Sequence, residues 1–460
     1  MAKGESKISG GPTKRFFVSM LPRDIALKDA ILDLVDNCID GATRQITKSK
    51  LRTPKPYDGY EASLTIDAKS FDISDNCGGI PKDRIKDAFL LGRPKIEKNL
   101  PTIGMYGIGL KRAIFKIGEE AMVETFADDG AFSVTYNRDW LDPENEDWDL
   151  PIEPLTNRKR KGVTVVIPTL KKDIARQFGN PTFLNELNNS ISENFAYLMQ
   201  KGFSVRVNEE KLRARTLKLY TTDFSKKDGI RPYDFESDDD GVHVRVTVGF
   251  FRPLARMEDI DEAAEYSSDN EEAGISVICN DRLVLVNDRT LKTGWGDGGV
   301  PRYHPQFRGI AGFIIFSTDQ PEKLPISTTK RDLDVGEDVY LLARQYCMEG
   351  LRECVAFTNK WKGMEDEASK HFDQSARKDV RTEVRLAADH GTPVRGNQKA
   401  RKMPATLPVP QRRDPMRRIS FTRKQTAIKR VSEYLFNESD QEPSVVGQEC
   451  FDRTLKASRK

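Results

Sequence analysis

The chain has 460 residues, enough for two or three domains with substantial cores, and its 74 basic and 71 acidic residues leave a net charge of only +3. Its six cysteines include no Cys-x-x-Cys pair and its four histidines no cluster at zinc-ligand spacing, which argues against structural zinc and against a disulfide framework. No stretch is apolar for long enough to cross a bilayer, and the opening Met-Ala-Lys-Gly-Glu-Ser-Lys lacks the apolar core of a secretory signal, so an intracellular, cytoplasmic protein without membrane contact is expected.

Residues 1–20 end in Arg15-Phe-Phe-Val-Ser-Met20, too short for a domain, and read as a tail or strap. Pro22 introduces a helix over about residues 25–48 whose apolar positions follow the helical period. On it Asp33, Asn37 and Asp40 fall at i, i+4 and i+7 on one face, with Ile31, Val35, Cys38, Ile39 and Ala42 opposite. A polar face on a buried helix calls for a polar occupant; a solvated face is the plainer alternative. Ala62–Ala68 then alternates, and with Phe71-Asp-Ile-Ser-Asp75 it carries a hairpin signature. It runs into Asp75-Asn-Cys-Gly-Gly-Ile-Pro81, where adjacent glycines mark a sharp turn or a close approach.

Pro81 to Gly92 reads as a short helix. The run Gly104-Met-Tyr-Gly-Ile-Gly-Leu-Lys-Arg-Ala113 then leads glycines into an amphipathic helix, which supplies free backbone N–H groups and a helix N-terminus suited to phosphate. Its spacing matches neither a P-loop nor a dinucleotide fingerprint. Strand-like runs at 120–126, 131–137 and 162–167, followed by helix over 170–201, complete a first α/β domain. Strands at 203–207, 242–248, 275–279 and 310–316 indicate a second, interrupted by acidic loops at 235–240 and 258–272.

A helix over 337–363 packs Leu341, Leu342, Tyr346, Leu351 and Val355. The interval 364–418 is charged, contains five prolines and has little apolar periodicity, so it reads as a flexible linker. Within 395–430 twelve Lys or Arg face one acid, Asp414, giving +11 and leaving −8 on the remaining chain. That charge suits a polyphosphate backbone without implying base readout. The last forty residues hold an amphipathic helix around Thr426–Leu435 and read as a small docking module.

The helix, the Asp75 turn, the glycine run and the strand at 162–167, in this order and spacing, resemble the GHKL ATPases: gyrase-type topoisomerases, ninety-kilodalton heat-shock chaperones, sensor histidine kinases and MutL, and most of all prokaryotic MORC- or MutL-like proteins. The resemblance covers about residues 15–340. It implies an α+β fold: an N-terminal strap (1–20), a Bergerat-type α/β sandwich ATP-binding domain (21–200), a transducer-like α/β domain (201–335), a helix (336–363), a basic flexible linker (364–418) and a small C-terminal element (419–460). The C-terminal region is expected to be helical and partly disordered.

By the motifs of that family, Asp33 occupies the place of the glutamate that orients water, and Asn37 would hold Mg²⁺ on the phosphates. Asp75 and Gly79 match D-x-G-x-G, with Asp75 accepting from the adenine amino group. Gly104, Gly107 and Gly109 match the lid motif G-x-x-G-x-G, and Thr164 fits the threonine that backs the adenine site. Asp40, Ile80, Tyr106, Ile108, Leu110 and Lys111 belong to the same motifs and are expected around the nucleotide. Leu324-Pro-Ile-Ser-Thr-Thr-Lys-Arg-Asp-Leu-Asp334 looks like the transducer loop whose lysine, here Lys330, reaches the γ-phosphate.

The resemblance therefore implies a Mg-ATP-dependent ATPase that closes its lid at 95–109, dimerises with ATP and clamps DNA through 395–430 in genome maintenance or defence. A chaperone-like ATPase acting on protein clients and a nonhydrolysing nucleotide-sensing scaffold are the alternatives. Two departures bear on this. Asp33 is one methylene shorter than glutamate, which points to slow turnover, and Cys77 replaces the first glycine of the adenine motif.

Overall fold

Alternation of apolar and polar side chains builds the first half of the chain. In Glu61–Ile66 every second residue is buried, and Phe71–Asp75 continues the pattern, as expected of strands with one face on a core. The computed structural model describes residues 13–51, 53–92, 100–102, 107–156, 160–226, 229–255, 272–327, 332–379, 384–410 and 419–458. Eight strands make one mixed sheet in the order β5 (Ile152–Pro154), β4 (Gly130–Tyr136), β3 (Gly118–Ala127), β6 (Gly162–Leu170), β2 (Phe71–Asp75), β1 (Glu61–Ile66), β7 (Ser204–Val207) and β8 (Glu210–Lys211). β1 and β2 form the expected antiparallel hairpin, and β7 joins β1 in parallel.

Helices α1 (Leu27–Gln45), α2 (Gly109–Ile117) and α3 (Pro181–Asn194) share one apolar core with this sheet, and α1 packs against α2. The opening segment joins the same core. Val18 of Phe16–Met20 is buried there, and the Lys14 ammonium lies 3.9 Å from the centre of the Trp140 ring while donating to the Asp147 carbonyl.

A second, seven-stranded sheet runs β13 (Arg282–Asp288), β12 (Gly274–Cys279), β14 (Ile310–Ser317), β11 (Val242–Phe250), β10 (Tyr233–Asp239), β17 (Asn397–Met403) and β16 (Thr392–Val394). Its central strands are buried almost throughout, because α4 (Asp338–Lys360) covers one face and Tyr197 packs on the other, its ring edge-on to Phe313 at 5.6 Å. Gly350 of α4 sits where a Cβ would crowd Val248 and Tyr233, so the glycine sets how closely helix and sheet approach. The strand expected at 275–279 turns back on itself in a tight hairpin over 275–286: Asn280 and Asp281 both take positive φ, 44° and 71°, as a two-residue β-turn of this hand requires.

Two expectations are corrected here. Residues 235–239, read as part of an acidic loop, lie in β10, where Tyr233, Phe235 and Ser237 point into the core. Of the interval read as a flexible linker, much of 365–403 is ordered structure: Phe372 is buried, Ala376–Asp379 (β15) pairs with Lys218–Thr221 (β9), and β17 pairs with β10. In the second pairing Glu236 stands opposite Arg401, while its carboxylate is engaged by His243 and Arg385. The acidic loop expected at 258–272 falls almost wholly outside the described residues. Residues 410–460 form a separate unit in which α5 (Gln425–Phe436) and α6 (Pro443–Ser458) pack together; Asn437, at φ 56°, ends α5.

Candidate active site

One cavity of the first unit lies between α1, strands β2 and β6, the turn after β2, and the start of α2. Leu34, Cys38, Ile73, Ile80, Val163 and Val165 give it an apolar wall, with Asp75 among them. Asp75 Oδ1 accepts from the backbone N–H of Cys77 at 2.7 Å and of Val163 at 3.2 Å. Burial nevertheless dominates and pushes this carboxyl up to about 6. Gly162 permits the arrangement, because a Cβ there would collide with the Asp75 carbonyl as β6 closes on β2.

The turn itself depends on Gly79, held at φ +76° with its Cα against the Phe126 carbonyl, and Ile80 N–H donates to Thr125 Oγ1 at 2.7 Å. Cys77, the departure from the family's glycine, is accommodated by another glycine: a Cβ on Gly41 would lie 3.2 Å from the Cys77 Cβ. Burial and the neighbouring Asp75 charge push the Cys38 and Cys77 thiols well up, so both stay protonated and act as packing groups rather than nucleophiles.

The cavity is lined as well by Asp33 and Asn37 of α1 and by Gly107, Ile108, Gly109, Leu110, Lys111 and Arg112. Asn37 is exposed, whereas Asp33 is buried and pairs with the Arg112 guanidinium, Nη2 to Oδ2 at 2.6 Å. Gly109 makes the approach possible, since even a Cβ there would sit 3.3 Å from the Asp33 Cβ. Lys111 is buried; its ammonium donates to the Ala88 carbonyl at 2.7 Å and to the Gly107 carbonyl, tying the short helix Ile85–Phe89 to the start of α2. The N–H groups of the first turn of α2 lack intrahelical acceptors, as at every helix start.

Several expected residues stand elsewhere. Asp40 is buried but does not line the cavity; with about 100° per residue it lies on the Asp36 side of Asp33, and the lining stripe continues instead through Gly41 and Arg44. Cys38, assigned to the face opposite, does line it. Thr164 is corrected as well: strand alternation turns it away while Val163 and Val165 face the cavity. Gly104, Tyr106 and Lys330 lie outside the described residues. Ile80 stands in the apolar wall as expected, whereas Arg112, Arg44, Asp87 and the rest of that wall were not foreseen, although Arg112 follows Gly109 by three residues on one helix and Arg44 continues the Asp33–Asn37 stripe.

Residues 25–167 match the family model described as histidine kinase-, DNA gyrase B-, and HSP90-like ATPase. The match supports the GHKL superfamily for this segment. It runs from before Asp33 to beyond Val165 and so takes in every residue that lines the cavity. ATP binding is supported with it. No curated protein matches the chain. No helix among the described residues is long and apolar enough to cross a membrane.

Proposed function

We propose that this protein is a slow, Mg-dependent ATPase whose nucleotide lies along α1, adenine at Asp75 and polyphosphate at Asp33 and Asn37. One observation carries the reading: a buried carboxylate flanked by apolar side chains and a carboxylate–amide pair beside a helix start line the same cavity. The apolar wall suits a base, and Asp75 suits its amino group. The N–H groups at the start of α2 suit phosphate oxygens. Asp33 would orient the attacking water, its short side chain limiting the rate.

Mg²⁺ fits this donor set. Among the described residues no His, Cys, Asp and Glu cluster offers a metal cage, whereas one exposed amide oxygen at Asn37 beside phosphates matches the way this ion is held. When bound it neutralises phosphate charge, while Asp33, Asn37 and the first turn of α2 fix where the terminal phosphate stands.

On this reading the second sheet is a transducer, Lys330 reports the γ-phosphate, and ATP closes the lid at 95–109 and favours a homodimer. The client is DNA, held through the basic residues of 395–430, with work in genome maintenance or defence. The net +11 of that segment supports DNA over a protein client. A nonhydrolysing nucleotide-sensing scaffold is the second reading, favoured by the Asp33–Arg112 pair, which already engages the carboxylate.

Phosphate release from Mg-ATP at low salt, with and without duplex DNA, separates these readings. DNA-stimulated turnover lost in Asp33→Ala and Asp75→Asn is the expected result. Nucleotide binding without any turnover would select the scaffold, and stimulation by protein clients but not by DNA would select the chaperone-like reading.

A further inference from the structure

We propose that Arg112 contacts the terminal phosphate of the nucleotide and positions Asp33 at the same time, an inference that rests on the cavity being an ATP site. The Arg112 side chain is 6% exposed and lines the cavity. Its Nη2 meets Asp33 Oδ2 at 2.6 Å, yet its Nε is buried with no hydrogen-bond partner among the described residues. A guanidinium presents five N–H donors in one rigid plane, and native structures seldom bury such a donor without an acceptor. A phosphate oxygen is the acceptor that a guanidinium fork fits best.

Position narrows the choice to the terminal phosphate. Arg112 and Gly109 lie one turn apart on α2, and Gly109 packs on the Asp33 side chain, so guanidinium, helix start and Asp33 meet in one place on the cavity wall, while the Asp75 carboxylate accepts instead from Cys77 and Val163. A nucleotide with its base at Asp75 and its polyphosphate at Asp33 brings its last phosphate to that place. The neighbouring cation, Lys111, donates to the Ala88 and Gly107 carbonyls and serves to hold the loop. Arg112 therefore distinguishes a triphosphate from a diphosphate. Sharing its plane between phosphate and carboxylate, it also holds Asp33 beside the terminal phosphate.

The test compares the affinities of a nonhydrolysable ATP analogue, AMP-PNP, and of ADP, both with Mg²⁺, by titration calorimetry on the full chain. Wild type is expected to prefer AMP-PNP, and Arg112→Gln to lose about tenfold or more of that preference. Arg112→Lys should restore part of it, and Asp33→Asn, with Arg112 intact, should keep it. Because Arg112→Gln leaves the Asp33 carboxylate buried and alone, the double variant Asp33→Asn/Arg112→Gln provides the same ratio without that charge. A wild-type ratio in both Arg112→Gln and the double variant would overturn this proposal alone. Wild-type protein that binds neither nucleotide would overturn the ATP-site reading and this proposal with it.

Discussion

The Arg282 guanidinium at the start of β13 meets the Asp36 carboxylate on α1, Nε to Oδ1 at 2.9 Å, with the two side chains 1% and 2% exposed. Arg282 also donates to Asn194 Oδ1 at 2.6 Å and lies 4.4 Å from the centre of the Phe195 ring. Its neighbours in the turn reach the same domain: Asn280 Nδ2 donates to the Thr102 carbonyl at 3.4 Å, and Asp281 pairs with Lys201. The helix that carries Asp33 and Asn37 is thereby bonded to the second sheet. Removing one partner of a buried pair leaves an uncompensated charge, so Arg282→Ala should cost about 3–5 kcal/mol. Asp36→Leu/Arg282→Met should cost much less. Denaturant unfolding measures both, and equal losses would mean that packing rather than charge holds the turn.

Asp75 makes stability depend on pH with a definite sign. Its carboxyl, about 6 when folded against 3.8 for the free group, keeps its proton longer in the native state. Stability from this group is therefore lost as pH rises from about 4 through 6, a cost of about 3 kcal/mol above that window in nucleotide-free protein. Asp75→Asn should melt higher than wild type at pH 7.5, and the gap should close near pH 4. A lower melting point at pH 7.5 would show that the charged carboxylate is stabilised where it stands.

Gly79 and Gly59 share positive φ, at +76° and +89°, but only Gly79 faces backbone at contact distance. Gly59→Ala should cost about 1 kcal/mol of backbone strain and leave nucleotide binding intact. Gly79→Ala must push the turn off Phe126, so nucleotide binding should be lost. Similar affinities in the two variants, measured by fluorescent-nucleotide displacement, would contradict this.

His243 ties neighbouring strands together, with Nε2 3.1 Å from Glu236 and Nδ1 2.9 Å from Asp238, while Arg385 also reaches Glu236 at 2.9 Å. The Glu236 hydrogen bond raises the His243 pKa, and Glu236 is held down to about 2, chiefly by His243. That stabilisation is fully present below the ordinary imidazole value and fades as pH rises through the raised one. His243→Gln should therefore lower the melting point more at pH 5.5 than at pH 8.5. An equal drop at both would assign His243 a packing role only.

The motifs of the first domain were legible because local chemistry fixes them. Asp33 and Asn37 lie one helical turn apart, and glycines stand where a Cβ would collide, as at Gly79. What failed was phase. A one-residue step along a strand changes face, so the motif points to Thr164 where Val163 and Val165 stand. A stripe crossing a helix obliquely passes from Asn37 to Gly41 and Arg44 rather than through Asp40. The acidic run at 235–239 and the basic run at 397–403 looked like solvated chain because each was read alone. Paired, Glu236 opposite Arg401, they form adjacent strands of one sheet, a relationship between stretches far apart in sequence that no local pattern contains. The Asp33–Arg112 pair escaped for the same reason.

Titration of Mg-ATP into wild type and Asp75→Asn at low salt is the most direct test of the nucleotide site. The expected result is one nucleotide bound per chain by wild type and affinity about tenfold or more weaker in the variant. No binding by wild type, or equal affinity in both proteins, would contradict adenine recognition at Asp75.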